Sequence, residues 1–143
     1  MSGSVVDLPP EDRALVERAV RTLEQSYVEG RSEVAAAMRM RSGAIYDGVH
    51  VEGSSGRMSV CAEGVALGTA MRHGDREIDT VAAVLRTADG GWRVVTPCGA
   101  CRELIGDYGP HAHVVDYADG EVHRVTIQEL IPGKTLRRWA TGA

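Results

Sequence analysis

Apolar residues near the start of the chain recur at helical spacing. Leu15, Val16, Ala19, Val20 and Leu23 share one face, while Glu11, Asp12, Glu17, Arg18 and Arg21 lie mostly elsewhere. Pro9 and Pro10 at the start, with acids in the first turn, suit the free N–H groups and partial positive charge of a helix N-terminus. This helix should end near Gly30. The period then changes to two. In VAAAMRMR, residues 34–41, Val34, Ala36, Met38 and Met40 alternate with smaller or charged partners, which predicts a strand with the methionines as core filler. Ser42-Gly43 turns the chain, and AIYDGVHV (44–51) returns as the second strand of a hairpin. EGSSGR, 52–57, reads as a flexible loop.

A second helix is expected from about Val60 to His73. Ser59 would cap it, with Val60, Ala62, Val65, Ala66, Ala70 and Met71 largely inward. IDTVAAVLRT, 78–87, is almost continuously apolar and rich in β-branched residues, as in a central strand covered on both faces. Asp89-Gly90-Gly91 turns, WRVV extends, and Pro97 ends the extension. A short helix over 99–107, strands over 113–118 and 123–127, and a last helical stretch around Trp139 complete the pattern. Helices interleaved with strands after an opening hairpin predict an α/β fold, a three-layer α/β/α sandwich around a mixed five-stranded sheet. The length of 143 residues, without repeat or linker, predicts one domain over 1–143.

Charge narrows the partners. The formal net charge is -4, and the densest basic clusters are only Arg39/Arg41 and Arg137/Arg138, so no stripe tracks a phosphate backbone. A nucleic-acid polymer is therefore not the expected partner. No apolar run approaches the ~20 residues that cross a bilayer, so no membrane partner is expected. MSGSVVDLPPED lacks the basic start and apolar stretch of a secretory signal. Three cysteines cannot all pair within one chain. The expected compartment is the reducing cytoplasm, where a Cys-x-x-Cys more often binds metal or does catalysis.

Cys61 lies where the second helix should begin, and Cys98 and Cys101 where the third should begin. Helix N-termini lower a thiol's pKa and favour thiolate. Three such sulfurs on two adjacent helix starts fit three corners of a tetrahedral zinc site, and an open fourth corner is the mark of a catalytic zinc. Glu63 stands two residues after Cys61, ~200° round a helix, which makes it a poor ligand for the same tetrahedron. Beside the open corner it could carry a proton. Alone, it would read as an acid favoured by the helix dipole. Two other readings of Cys98 and Cys101 stand beside this one: a thioredoxin-like redox pair, since WRVVTPCGAC runs strand into helix, and a structural zinc module without catalysis. The redox reading leaves Cys61-Ala62-Glu63 without a role, and a structural site would want a fourth protein ligand. His73, His111, His113 and His123 have no metal-ligand spacing.

Cys61-Ala62-Glu63 before an apolar helix, then TPCGACRELI and QELIP, together resemble the cytidine deaminase superfamily from about Val34 to Trp139. They are most similar to its blasticidin-S deaminase and free-nucleoside cytidine deaminase branches. The resemblance implies the same sandwich fold and one Zn2+ per chain on Cys61, Cys98 and Cys101. It makes Glu63 the proton shuttle and Ala62 a backbone contact to the pyrimidine carbonyl. The implied reaction replaces an exocyclic amino group by oxygen and releases ammonia. The implied substrate is a small-molecule aminated heterocycle: a cytosine nucleoside, blasticidin S or a related free base. A homotetramer is also implied.

In cytidine deaminases the strand before the zinc helix reads like Asn-x-Glu-Asn and holds the ribose hydroxyls. Here it reads His50-Val51-Glu52-Gly53, so Glu52 and His50 are expected to meet hydroxyl or amine groups. The stacking aromatic is missing, since Ser32 and Glu33 precede Val34 and the chain has no phenylalanine. Gly64 stands where an arginine often follows the glutamate, and Arg102 is expected to balance the zinc site's charge instead. Trp139 is expected to pack in the core or an interface, or to close the site.

Overall fold

The hydrophobic stripe of the first helix explains the first layer. In this computed structural model, which describes residues 3–136, α1 spans Pro10–Ser26, and its Leu15, Val16, Ala19 and Leu23 are wholly buried. A fully buried leucine or valine side chain contributes roughly 1.5–3 kcal/mol, so this stripe holds the helix down. The helix stops short of Gly30 because Tyr27 is already extended, and a Val28–Ser32 bridge turns the chain through Gly30 at φ 72°.

The strands are β1 (Val34–Met40), β2 (Ile45–Val49), β3 (Ile78–Arg86), β4 (Trp92–Val94), β5 (His113–Ala118) and β6 (Glu121–Thr126). The sheet order is β2-β1-β3-β5-β6, with β4 paired to β3. All pairs are antiparallel except β3 with β5. Among the described residues the sheet therefore has six strands rather than five. WRVV forms the extra one: β5 pairs with Thr80–Ala82 and leaves Val84–Arg86 free for Val94–Trp92.

On the other face lie α2 (Ala62–Arg72), α3 (Gly99–Tyr108) and the short α4 (Ile127–Leu130), which is closed at its N-terminus by a Thr126–Glu129 capping box. Ala35 and Ala37 of β1 point to the α1 layer, whereas Met38 and Met40 pack with Ala66, Ala70 and Ile105 below α2 and α3. Both methionines are core filler, as their alternation predicts.

Ser59 does not cap α2. Cys61 is the N-cap, in extended conformation without a side-chain cap bond, and the helix begins at Ala62. Val60 is exposed rather than inward, because it pairs with Val51 in an isolated bridge. Within the 52–57 loop and just beyond it, Gly56–Met58 forms a single 3-10 turn. The helix expected around Trp139 and the Arg137/Arg138 pair lie outside the described residues. No helix among the described residues is long and apolar enough to cross a membrane.

Candidate active site

Two helix starts meet at one point. Cys61 is the N-cap of α2 and Cys98 that of α3, both extended, so each helix begins where its thiol stands. Cys101 follows within the first turn of α3. The three Sγ atoms lie within 4.8 Å of one another, and those of Cys61 and Cys98 are 3.8 Å apart. Zinc–sulfur bonds of about 2.3 Å at tetrahedral angles place sulfurs about 3.8 Å apart, so this donor set fits zinc in both element preference and spacing. Cys61 and Cys98 are exposed and Cys101 is buried. Among the described residues the cluster comprises these three sulfurs, with no imidazole or carboxylate as a fourth member.

The thiols do not share one environment. Burial pushes the Cys61 thiol up, and neighbouring Cys98 and Glu63 add to the effect against a bond from Cys101. Burial opposes ionisation of Cys98 as well, but the backbone N–H groups of Cys101 and Ala100 and the adjacent thiols outweigh it and hold Cys98 below the usual thiol range. Cys101 is driven well above that range, first by burial and then by the charge of Glu63. The helix-start argument thus holds for Cys98 alone, because burial and mutual repulsion dominate at the other two. A bound cation relieves both costs, since metal ligation requires and stabilises thiolate.

Glu63 is only 5 % exposed, and its Oε2 lies 3.5 Å from the Cys101 sulfur, which donates to it. It also lines a cleft of about 290 Å³ together with Val34, His50, Cys61, Ala62 and Cys98. A buried carboxylate, three convergent thiols and a solvent-open cleft are therefore contiguous. Ala62, 1 % exposed, packs under the floor with Ala36 and Ala83, whose small side chains let α2 sit low on the sheet.

His50 reaches the cleft wall, whereas Glu52 stands behind it. Glu52 Oε2 is 2.8 Å from His50 Nε2, and Glu52 Oε1 accepts from the Ser59 hydroxyl at 3.1 Å. Arg102, next to Cys101 in α3, is held by hydrogen bonds. Its guanidinium donates to the Pro97 and Leu130 carbonyls at 2.9 and 3.0 Å and to Thr96 Oγ1 at 3.3 Å, so it ties the β4–α3 loop to α4. Leu85, Val95 and Thr96, none of them expected at the site from residue type or spacing, also line the cleft. Leu85 and Val95 lie in stretches that read as ordinary strand, and only pairing around β3 reveals which side of them is open.

A mixed sheet layered between helices, with three thiols and a buried glutamate at two helix starts, defines a zinc-hydrolase type of centre. Residues 9–116 match the family model for the cytidine and deoxycytidylate deaminase zinc-binding region. The chain is 40% identical over 135 residues to the blasticidin-S deaminase of Bacillus cereus, covering 92% of this chain and 96% of the relative. It is 34% identical over 122 residues to a cytidine deaminase of Halalkalibacterium halodurans, covering 83% and 89%. The crystal structure of cytidine deaminase from Burkholderia pseudomallei superposes with a TM-score of 0.72 at 30% identity, covering 86% of this chain and 98% of that one. The chain belongs to the cytidine and deoxycytidylate deaminase family and is a zinc-dependent hydrolytic deaminase. The redox and structural-zinc readings fall away with this membership, and the Cys61–Cys98 approach leaves no isolated Cys98–Cys101 pair.

Proposed function

We propose that residues 1–143 act as one deaminase domain on a small aminated heterocycle, a cytosine-type nucleoside or a nucleoside antibiotic of the blasticidin S kind, rather than on a nucleic-acid polymer. The observation that carries this reading is the junction of the three-thiol cluster with buried Glu63 at the foot of one cleft. Cys61, Cys98 and Cys101 would hold one zinc ion. When bound, that ion supplies the Lewis acidity that makes water nucleophilic near neutral pH.

The chain's own residues do the rest. Glu63, held in a nearly dry position at the start of α2, takes a proton from the attacking water and delivers it to the ring nitrogen. Glu63 then takes the proton of the newly added hydroxyl and passes it to the amino group, so the C–N bond breaks, ammonia leaves and the carbon–oxygen double bond forms. Ala62 offers its backbone N–H to the pyrimidine carbonyl from the cleft floor. Val34, Leu85 and Val95 exclude water around the ring, in place of a stacking aromatic. His50, with Glu52 behind it, meets hydroxyl or amine groups on the remainder of the substrate.

The blasticidin-S deaminase of B. cereus supports the antibiotic class, and the cytidine deaminases support the nucleoside class. The expected setting is the cytoplasm and the expected assembly a homotetramer. The deciding experiment is an ammonia-release screen over cytidine, deoxycytidine, cytosine, blasticidin S, guanine and modified bases, with zinc quantified on the same preparation. About one zinc per chain with turnover of a cytosine nucleoside or blasticidin S is the expected result. Zinc-loaded protein that turns over none of them sinks the reading.

A further inference from the structure

The loop between His50 and Cys61 is closed by polar contacts that the deamination chemistry does not use. Val51 and Val60 exchange backbone hydrogen bonds of 3.0 and 2.9 Å, which brings Glu52 and Ser59 side by side just beyond the bridge. The Ser59 hydroxyl accepts from the Gly53 N–H at 3.0 Å and donates to Glu52 Oε1 at 3.1 Å. The other carboxylate oxygen of Glu52 meets His50 Nε2 at 2.8 Å, and His50 is one of the residues that line the cleft. Each partner in the series Ser59, Glu52, His50 is thus fixed by the one before it.

An ionised carboxylate only accepts hydrogen bonds, so the nitrogen facing Glu52 must carry the proton. In the neutral ring that leaves Nδ1 with a lone pair. Among the described residues Nδ1 has no protein partner. An acceptor in the cleft wall selects a ligand group with a hydrogen to donate, and leaves it unpaired when that group lacks one. A site built to meet a donor rejects the analogue without it more strongly than an apolar wall would.

From this we propose that Ser59 is a positioning residue: through Glu52 it fixes the orientation and tautomer of His50, so that the imidazole presents an acceptor to a hydroxyl or amino group of the substrate. The proposal rests on the reading of this cleft as the substrate site. It also gives Ser59 the role that helix capping does not, since Cys61 occupies the N-cap.

The test uses zinc-loaded enzyme at about pH 8, above the ordinary histidine range near 6.5. Imidazole 15N shifts report the tautomer, with the His50 signals assigned by their loss in His50→Gln. Wild type and Ser59→Thr should show a single Nε2–H tautomer at His50. Ser59→Ala and Glu52→Gln should show a mixture, the amide because it can donate as well as accept. With cytidine as the probe, Ser59→Ala should raise KM about tenfold and change kcat less than about twofold, the loss expected for one hydrogen bond to a charged group. Ser59→Thr should restore KM. A wild-type tautomer in both Ser59→Ala and Glu52→Gln overturns the clamp. A mixed tautomer with unchanged KM overturns the role in recognition. An equal fall in kcat and melting temperature, with KM unmoved, reduces Ser59 to a loop brace and also overturns it. If the wild type binds zinc but turns over no compound in the screen, the functional reading fails by itself, and the tautomer measurement still decides the clamp.

Discussion

A β-carbon at position 48 would sit 2.5 Å from the Ala66 nitrogen and 2.8 Å from the Ala62 carbonyl oxygen. Gly48 is therefore the point at which α2 presses directly on β2, and the depth of that contact sets where Cys61 and Glu63 emerge. Gly48→Ala should cost about 1–3 kcal/mol, as overpacking against backbone does, and should weaken zinc retention as α2 lifts. Thermal unfolding together with a zinc competition assay would check both, and an unchanged melting temperature would show that the helix has room. Glu63 is the residue whose loss should separate chemistry from assembly. Glu63→Ala should keep about one zinc per chain while ammonia release falls between about a hundredfold and ten-thousandfold, the usual contribution of a positioned acid–base group. Retained turnover would remove Glu63 from the proton path.

Among the elements, charge joins α1 to the sheet. Asp12, with no exposed surface, accepts from Arg39 of β1 at 2.9 Å and from Arg124 of β6 at 2.6 Å. Removing one member of a buried, paired set typically costs about 3–5 kcal/mol, because the remaining charges lose compensation. Asp12→Ala should be destabilised by that order in denaturant melts, with little effect on KM. Arg39 extends the set to Asp79 at 3.0 Å. Burial acts against ionisation of Asp79, but the Thr80 hydroxyl and then Arg39 outweigh it and hold the carboxyl below its usual range. A depressed carboxyl stabilises the fold above its unfolded value, near pH 4, and that contribution fades as pH falls through the folded value. The acid limb of the stability curve should therefore be shallower in Asp79→Asn than in wild type, as pH-dependent melting would show.

For the whole molecule, a zinc ion on Cys61, Cys98 and Cys101 would link the starts of α2 and α3. Chelation should lower the melting temperature and abolish ammonia release, and added zinc should restore both. A melting temperature indifferent to chelation would place the metal outside the folded framework. Sedimentation should show a particle of four 15.3 kDa chains. A monomer at assay concentration would instead mean that each cleft is complete within one chain.

The periodicities of α1, β1 and β3 are legible in the chain because each buries a regular stripe, and period follows directly from local backbone geometry. The candidate chemistry is legible for a related reason: a cysteine or glutamate at a helix start advertises itself by residue type and spacing. Relations between distant segments are not written at any fixed spacing. The pairing of Trp92–Val94 with β3, the closeness of Cys61 to Cys98, the burial of Asp12 between arginines 27 and 112 residues away, and the hold of Ser59 on Glu52 all arise when the sheet brings remote strands together. Spacing along the chain is a local property, whereas contact across a fold depends on how every intervening element packs.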